Sequence, residues 1–363
     1  MDNAVTQCLM ILLLCLKASA IAGHAIPQSS SSTKTPPQLT QPTFEWTRVP
    51  GGKGTSCSDG SGYSFFVRAG DPKRLLIYFQ GGGACWSGAT CDLKQRLYRP
   101  NLNDVAPQTE LGIFDFSNSE NPFIDYTVVF VPYCTGDAHL GNRTVTYSLS
   151  GSENSTPSVY TVRHNGYANA SAVLSWIFAK FSPHQIFVAG GSAGAIASPF
   201  YAGRIAEKYK DARITQLGDS AGGLRSPLIP SLLNNWGTTD IVRRFPHYSV
   251  QGDLTLEKFY VLEGDQQPSV VFSQFNNSQD AVQIAGLRQI GLAEVLLAQL
   301  LEQTYSDIRK GIPGFRSFTA PGTLHVMLNR REFYELEVGG VRLRDWVADL
   351  ASGRTVNSVN PED

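Results

Sequence analysis

Short apolar runs alternate with longer amphipathic ones through most of this chain. Residues 74–79, 126–133, 186–189, 213–217, 269–275 and 315–319 are rich in Val, Ile, Phe and Tyr, a composition that predicts strands. Between them, Ala170, Val173, Leu174, Ile177, Phe178 and Phe181 recur at the i, i+3, i+4, i+7 spacing of one helical face, which predicts a helix over 167–181. A further helix is expected over 195–209, a long one over 278–301 beginning near Asp280, and a short terminal one over 341–350. Strands separated by helices connect by right-handed crossovers. The pattern therefore predicts an α/β fold with a mostly parallel central sheet and helices on both faces, in a single domain over residues 44–363.

The N-terminal pattern differs. An apolar stretch from Cys8 to Leu16 is followed by Lys17 and the small-residue triplet Ala18-Ser19-Ala20, so residues 1–22 read as a secretory signal. The stretch is too short to span a bilayer about 30 Å thick, so no integral membrane span is expected. Residues 23–43 are rich in Ser, Thr, Pro and Gln and read as a flexible linker.

Composition narrows the function classes. The chain has 363 residues, 42% hydrophobic and 17% charged, with a net charge of −1. Such a chain can bury a large core, and without a basic cluster it offers no patch for nucleic acid or an anionic membrane. The oligomeric state is left open.

Removing the leader leaves four cysteines, Cys57, Cys85, Cys91 and Cys134. An even number suits disulfides in an oxidising compartment, with three connectivities possible. The short spacing from Cys85 to Cys91 can close a local loop, which would leave Cys57 with Cys134. Zinc is the rival reading, but no Cys-x-x-Cys pair is present and His139 is the one imidazole nearby. Sequons at Asn142, Asn154, Asn169 and Asn276 fit an extracellular route and recur by chance often enough to add little.

Candidate chemistry centres on Gly190-Gly191-Ser192-Ala193-Gly194, which lies between an expected strand and an expected helix. A serine on such a strand-to-helix turn projects its hydroxyl toward substrate, and the following backbone N–H can stabilise an oxyanion. Gly218-Asp219-Ser220-Ala221-Gly222 matches the same pattern, but Gly223 and Pro227 after it make a poor helix start. Ser192 is therefore the favoured nucleophile and Ser220 its competitor. Six histidines are present, and His247 and His325 follow Ser192. His325 lies in a turn after the expected strand 315–319, where doubly wound sheets gather functional loops, and is favoured as base. Asp280 follows strand 269–275 by a short loop and is the favoured acid. An aspartate there is equally suited to cap the next helix, and Asp265 and Asp219 compete with it. For the oxyanion, Ala193 and the glycine-rich segment from Gln80 to Trp86 are the candidate donors. Gly51-Gly52-Lys53-Gly54-Thr55 lacks the spacing of a phosphate loop, and no cofactor or metal is called for.

Several ordered motifs together resemble the pectin acetylesterase family of Notum-related α/β-hydrolases: Cys57-Ser58-Asp59-Gly60, Gly81-Gly82-Gly83-Ala84-Cys85-Trp86, Tyr133-Cys134-Thr135-Gly136-Asp137-Ala138-His139, residues 190–194, 274–280, and Pro321-Gly322-Thr323-Leu324-His325. The resemblance implies an α/β-hydrolase fold, a Ser192–His325–Asp280 triad and an oxyanion hole at Gly82, Gly83 and Ala193. It accounts for Asp137-x-His139 without a metal. It implies a secreted carboxylesterase acting through an acyl-enzyme on an acylated polysaccharide such as pectin. Lipid-deacylating members carry an aromatic residue where this chain has Gly83-Ala84, so a small acyl group, acetyl, is expected. The alternatives are a lipid or protein O-deacylase and a non-catalytic binding protein on the same fold.

Overall fold

The computed structural model describes residues 45–361 except 104, 106, 108–110, 150–157 and 249–251, so the leader, the linker and the Asn154 sequon lie outside the described residues. In chain order the strands are β1 (Trp46–Pro50), β2 (Ser64–Arg68), β3 (Asp71–Phe79), β4 (Tyr126–Val131), β5 (Arg143–Leu149), β6 (Ser158–His164), β7 (Gln185–Gly191), β8 (Arg213–Asp219), β9 (Val271–Asn277) and β10 (Arg316–Ala320). The helices used below are α1 (Gly88–Cys91), α2 (Gly166–Lys180), α3 (Ala193–Lys208), α4 (Ile229–Asn235), α5 (Thr238–Val242), α6 (Leu256–Gln266), α7 (Ala281–Gln289), α8 (Leu297–Gly311) and α9 (Leu343–Ser352).

Eight strands form one sheet in the order β1-β2-β4-β3-β7-β8-β9-β10. The six from β4 to β10 are parallel, while β1 and β2 pair antiparallel at one edge. The inner strands β4, β7, β8 and β9 are buried along nearly their whole length because both faces are covered, as in parallel sheets generally. Successive residues of β8 show the two faces directly. Gln216 donates to Ser198 of α3 at 2.7 Å, and Thr215 donates to the Leu350 carbonyl of α9 at 3.2 Å. This is an α/β-hydrolase-like fold.

Two disulfides, Cys57–Cys134 and Cys85–Cys91, tie loops at this sheet together. They use the four cysteines among the described residues, with the pairing that the short Cys85–Cys91 spacing suggests.

The expected 24-residue helix over 278–301 is two helices, α7 and α8. Gly291, at φ 92°, takes the left-handed position after α7; its N–H donates to Arg288 and that of Leu292 to Leu287, at 3.1 Å each. Glycine in this C-terminal cap stops a helix that side-chain periodicity alone would continue. The sequence pattern also does not predict β1 and β2, the β5–β6 hairpin or α6. Asp265, an expected competitor for the acid, stands exposed in the last turn of α6 and is removed from the list of candidates by that position.

Burial sorts the three described sequons. Asn276 is fully buried and its amide donates to Gln274 and Tyr305. Asn169 is buried, bonded through both ends of its amide to the backbone of Ser56. Asn142 is exposed. Expressed through a secretory route, the chain is expected to carry a glycan at Asn142 and none at Asn169 or Asn276. Peptide mass spectrometry finding occupancy at either buried site would contradict this.

Candidate active site

The chain leaves β3 toward β4 on one side, whereas β7 and the strands after it build the other side, so β3 and β7 are neighbours at which the strand order reverses. Ligands of open α/β sheets bind at the carboxyl ends of strands at such a point. Phe79 pairs with Gly190 in register there, which brings the segment after β3 beside the turn after β7. Ser192 sits on that turn at φ 52° and ψ −118°, a strained conformation for a residue with a side chain. Its N–H donates to the Asp219 carbonyl at 2.8 Å, fixing the bend. A Cβ on Gly194 would run into the Phe79 carbonyl oxygen, so the elbow's glycine is a packing requirement.

The glycine-rich segment folds over the serine. A Cβ on Gly81 would lie 2.8 Å from the Ser192 Cβ, and one on Gly83, at φ 76°, would collide with the Leu97 carbonyl oxygen. Among the described residues, the amides of Gly82, Gly83 and Ala193 donate to no protein acceptor. Backbone donors left open around a serine are a place for an oxygen bearing negative charge. Behind the loop, His139 donates through Nε2 to the Gln80 carbonyl at 2.8 Å. Burial pushes its imidazole down to about 4, so the ring is neutral at physiological pH and serves as a prop for the loop. The Asp137 carboxylate, which accepts from Thr135, His139 and Gly166, holds the turn that carries it. The sequence marked this segment as a motif without revealing what it supports.

His325 and Asp280 meet. Nδ1 of His325 lies 2.7 Å from Oδ2 of Asp280, which is fully buried. A carboxylate can only accept, so Nδ1 carries the proton and Nε2 presents its lone pair. That Nε2 is buried without a protein partner, and His325 lines the same cavity as Ser192 and Ala193. The other oxygen of Asp280 accepts from the backbone of Val282 and Gln283 at 2.9 and 3.0 Å, capping α7. Capping and orienting are thus performed by one carboxylate with different oxygens.

The two competing residues of the second elbow motif have a separate place. Ser220 is buried and donates to Asp219 Oδ1 at 2.8 Å, while its oxygen accepts from Val326 N–H at 3.0 Å. Asp219 Oδ2 accepts from the amides of Met327 and Leu328 at 2.8 and 2.7 Å. Together they clamp the three residues after His325, including Val326 at φ 58°. Burial pushes the Asp219 carboxyl up to about 6, against its hydrogen bonds from Leu328 and Ser220. His247 is elsewhere, beside the buried Arg204–Glu263 pair.

An apolar cavity of about 360 Å³ opens on Ser192 and His325. Its walls include Trp86 and Leu97 after β3, Ile196 of α3, Leu232 and Leu233 of α4, and Ile290 after α7.

Comparison with known proteins agrees with this geometry. Residues 40–224, just over half of the chain, match the Pectinacetylesterase family. Curated relatives include the palmitoleoyl-protein carboxylesterase notum2 of Xenopus laevis, 33% identical over 105 residues, or 27% of this chain and 22% of the relative. The palmitoleoyl-protein carboxylesterase NOTUM of Schmidtea mediterranea is 28% identical over 124 residues, or 32% of this chain and 23% of the relative. The inactive palmitoleoyl-protein carboxylesterase notum1b of Danio rerio is 30% identical over 92 residues, covering 24% of this chain and 66% of the relative. The matches thus span less than a quarter of the length of the first two relatives. With an elbow serine, a carboxylate-bound histidine and open amides gathered at one sheet edge, and a match over half its length, the chain belongs to the pectinacetylesterase family.

Proposed function

We propose that this protein is a serine carboxylesterase whose acyl pocket takes a medium or long hydrocarbon chain. Ser192 Oγ attacks the ester carbonyl carbon as its proton passes to His325 Nε2, while Asp280 holds the imidazole in the tautomer that can accept it. The amides of Gly82, Gly83 and Ala193 receive the oxyanion. Collapse expels the alcohol, which takes the proton from His325, and water then attacks the acyl-enzyme by the same route.

The observation that carries the acyl preference is the apolar cavity of about 360 Å³ at Ser192. One water-sized group fills roughly 30 Å³, so the cavity holds about twelve of them, where the methyl of an acetyl needs one. The acetyl group expected from the small residues Gly83 and Ala84 would leave this surface without contact. Trp86 and Leu97 bring apolar bulk to the pocket wall from the same loop region.

A series of p-nitrophenyl esters tests the reading. Each methylene buried contributes about 0.8 kcal/mol, so kcat/KM is expected to climb by about fourfold per added carbon beyond acetyl until the cavity is filled. A maximum at acetyl, falling with length, would overturn it.

The two disulfides support an oxidising, extracytoplasmic compartment, in line with the leader expected over residues 1–22. Among the described residues, no helix is long and apolar enough to cross a membrane.

A further inference from the structure

A second cavity, of about 270 Å³, shares Gly83, Ser192, Val282 and His325 with the acyl pocket. Its remaining wall differs in kind: Tyr78, Gln80, Asn329, Phe114 and Phe130 line it, and apart from His325 it has no ionisable group but the phenol of Tyr78. An ester has two ends, and the first cavity is suited to the hydrocarbon one.

Tyr78 is held rigidly. Its ring stacks on Phe130 with centroids 5.6 Å apart and meets Phe114 edge-on at 4.9 Å. The hydroxyl is thereby set against Gly191, the residue before Ser192: a Cβ on Gly191 would lie 2.7 Å from it. The residue is 2% exposed, yet it lines this cavity, and its hydroxyl makes no hydrogen bond to another described residue. A hydroxyl open to the cavity is free to bond a ligand there. Gln80 is fixed by accepting from Tyr133 N–H at 3.2 Å, which leaves its NH₂ group without a protein acceptor among the described residues. Burial holds the Tyr78 phenol well above its ordinary range, so it stays protonated and can both donate and accept.

We infer that this cavity is the alcohol subsite, and that Tyr78 determines specificity there by hydrogen bonding to a neutral polyhydroxy alcohol. Unpaired uncharged donors beside aromatic rings suit hydroxyls and the C–H faces between them. The volume, roughly nine water-sized groups, suits a small polyol. The inference rests on the esterase reading above.

The test compares three octanoates on the purified chain: glycerol mono-octanoate, N-acetyl-O-octanoylserine amide and p-nitrophenyl octanoate. Tyr78→Phe keeps the ring packing and removes one neutral hydrogen bond. It is expected to lower kcat/KM for the glycerol ester by roughly three- to tenfold and for the p-nitrophenyl ester by less than about twofold. Asn329→Ala, at the opposite end of the sequence of this wall, is expected to shift the same ratio in the same direction. Equal losses on all three esters, an unchanged glycerol ester, or a loss confined to the serine ester would each overturn the inference while leaving the esterase reading intact. Wild-type protein that cleaves none of the three would overturn both.

Discussion

Ser192→Ala is expected to lower ester hydrolysis by about 10⁴- to 10⁶-fold, the loss usual when the nucleophile of a concerted serine unit is removed. The protein should otherwise remain folded, because the Ser192 side chain makes no hydrogen bond within the described protein and its backbone N–H still reaches Asp219. Ser220→Ala provides the contrast. It removes the hydroxyl that accepts from Val326 and donates to Asp219, leaving a buried amide unpaired at a cost of about 1–3 kcal/mol. Activity falls by at most about tenfold, through a looser seat for His325. The pair of variants separates two identical motifs by mechanism, one losing rate and the other stability. A fluorophosphonate probe gives an independent reading: it is expected to label Ser192 covalently in the wild type and not in Ser192→Ala. No adduct on folded wild-type protein would favour a non-catalytic member of the family, such as the inactive notum1b of Danio rerio is named to be.

Asp280→Asn is expected to cost about 10⁴-fold in kcat while changing stability little. The two duties of this side chain use different oxygens, so an amide can keep one and lose the other. Asparagine caps helices about as well as aspartate, and its Oδ1 can still accept from Val282 and Gln283. At the second position an NH₂ group faces both His325 Nδ1 and the Gln283 amide, which now donate toward a donor. The imidazole can relieve this only by moving its proton to Nε2, the atom that has to accept one from Ser192. Asp280→Ala adds loss of the cap, about 1 kcal/mol of stability, to the same kinetic defect. Measuring kcat and Tm for both variants decides the matter. Asparagine retaining more than about a tenth of the activity would reduce Asp280 to a helix cap.

Legibility followed the range of the interactions. Parallel strands buried on both faces are rich in Val, Ile, Leu and Phe, and the six expected from the sequence are β3, β4, β7, β8, β9 and β10 with ends shifted by up to three residues. Helices α2 and α3 were visible from their faces. Edge strands such as β1, with three of its five side chains exposed, carry no such run. The boundary between α7 and α8 was written in Gly291, but a glycine within an apolar period signals a stop only when its carbonyl partners upstream are known.

The sequence by itself determined the class of fold and the order of the candidate groups, a serine on a glycine elbow followed by an aspartate and a histidine, because those depend on local periodicity and on turns that few residues can make. Asp219, Asp265 and Asp280 all lie between Ser192 and His325, so chain order could not choose among them. Tertiary structure chose by distance: Asp280 reaches the imidazole, Asp219 clamps the loop behind it, and Asp265 stands at a helix end away from both. Pocket size was equally out of reach. The walls of the apolar cavity come from segments around residues 83–97, 192–196, 220–256 and 281–290, and empty space bounded by such distant segments leaves no pattern along the chain.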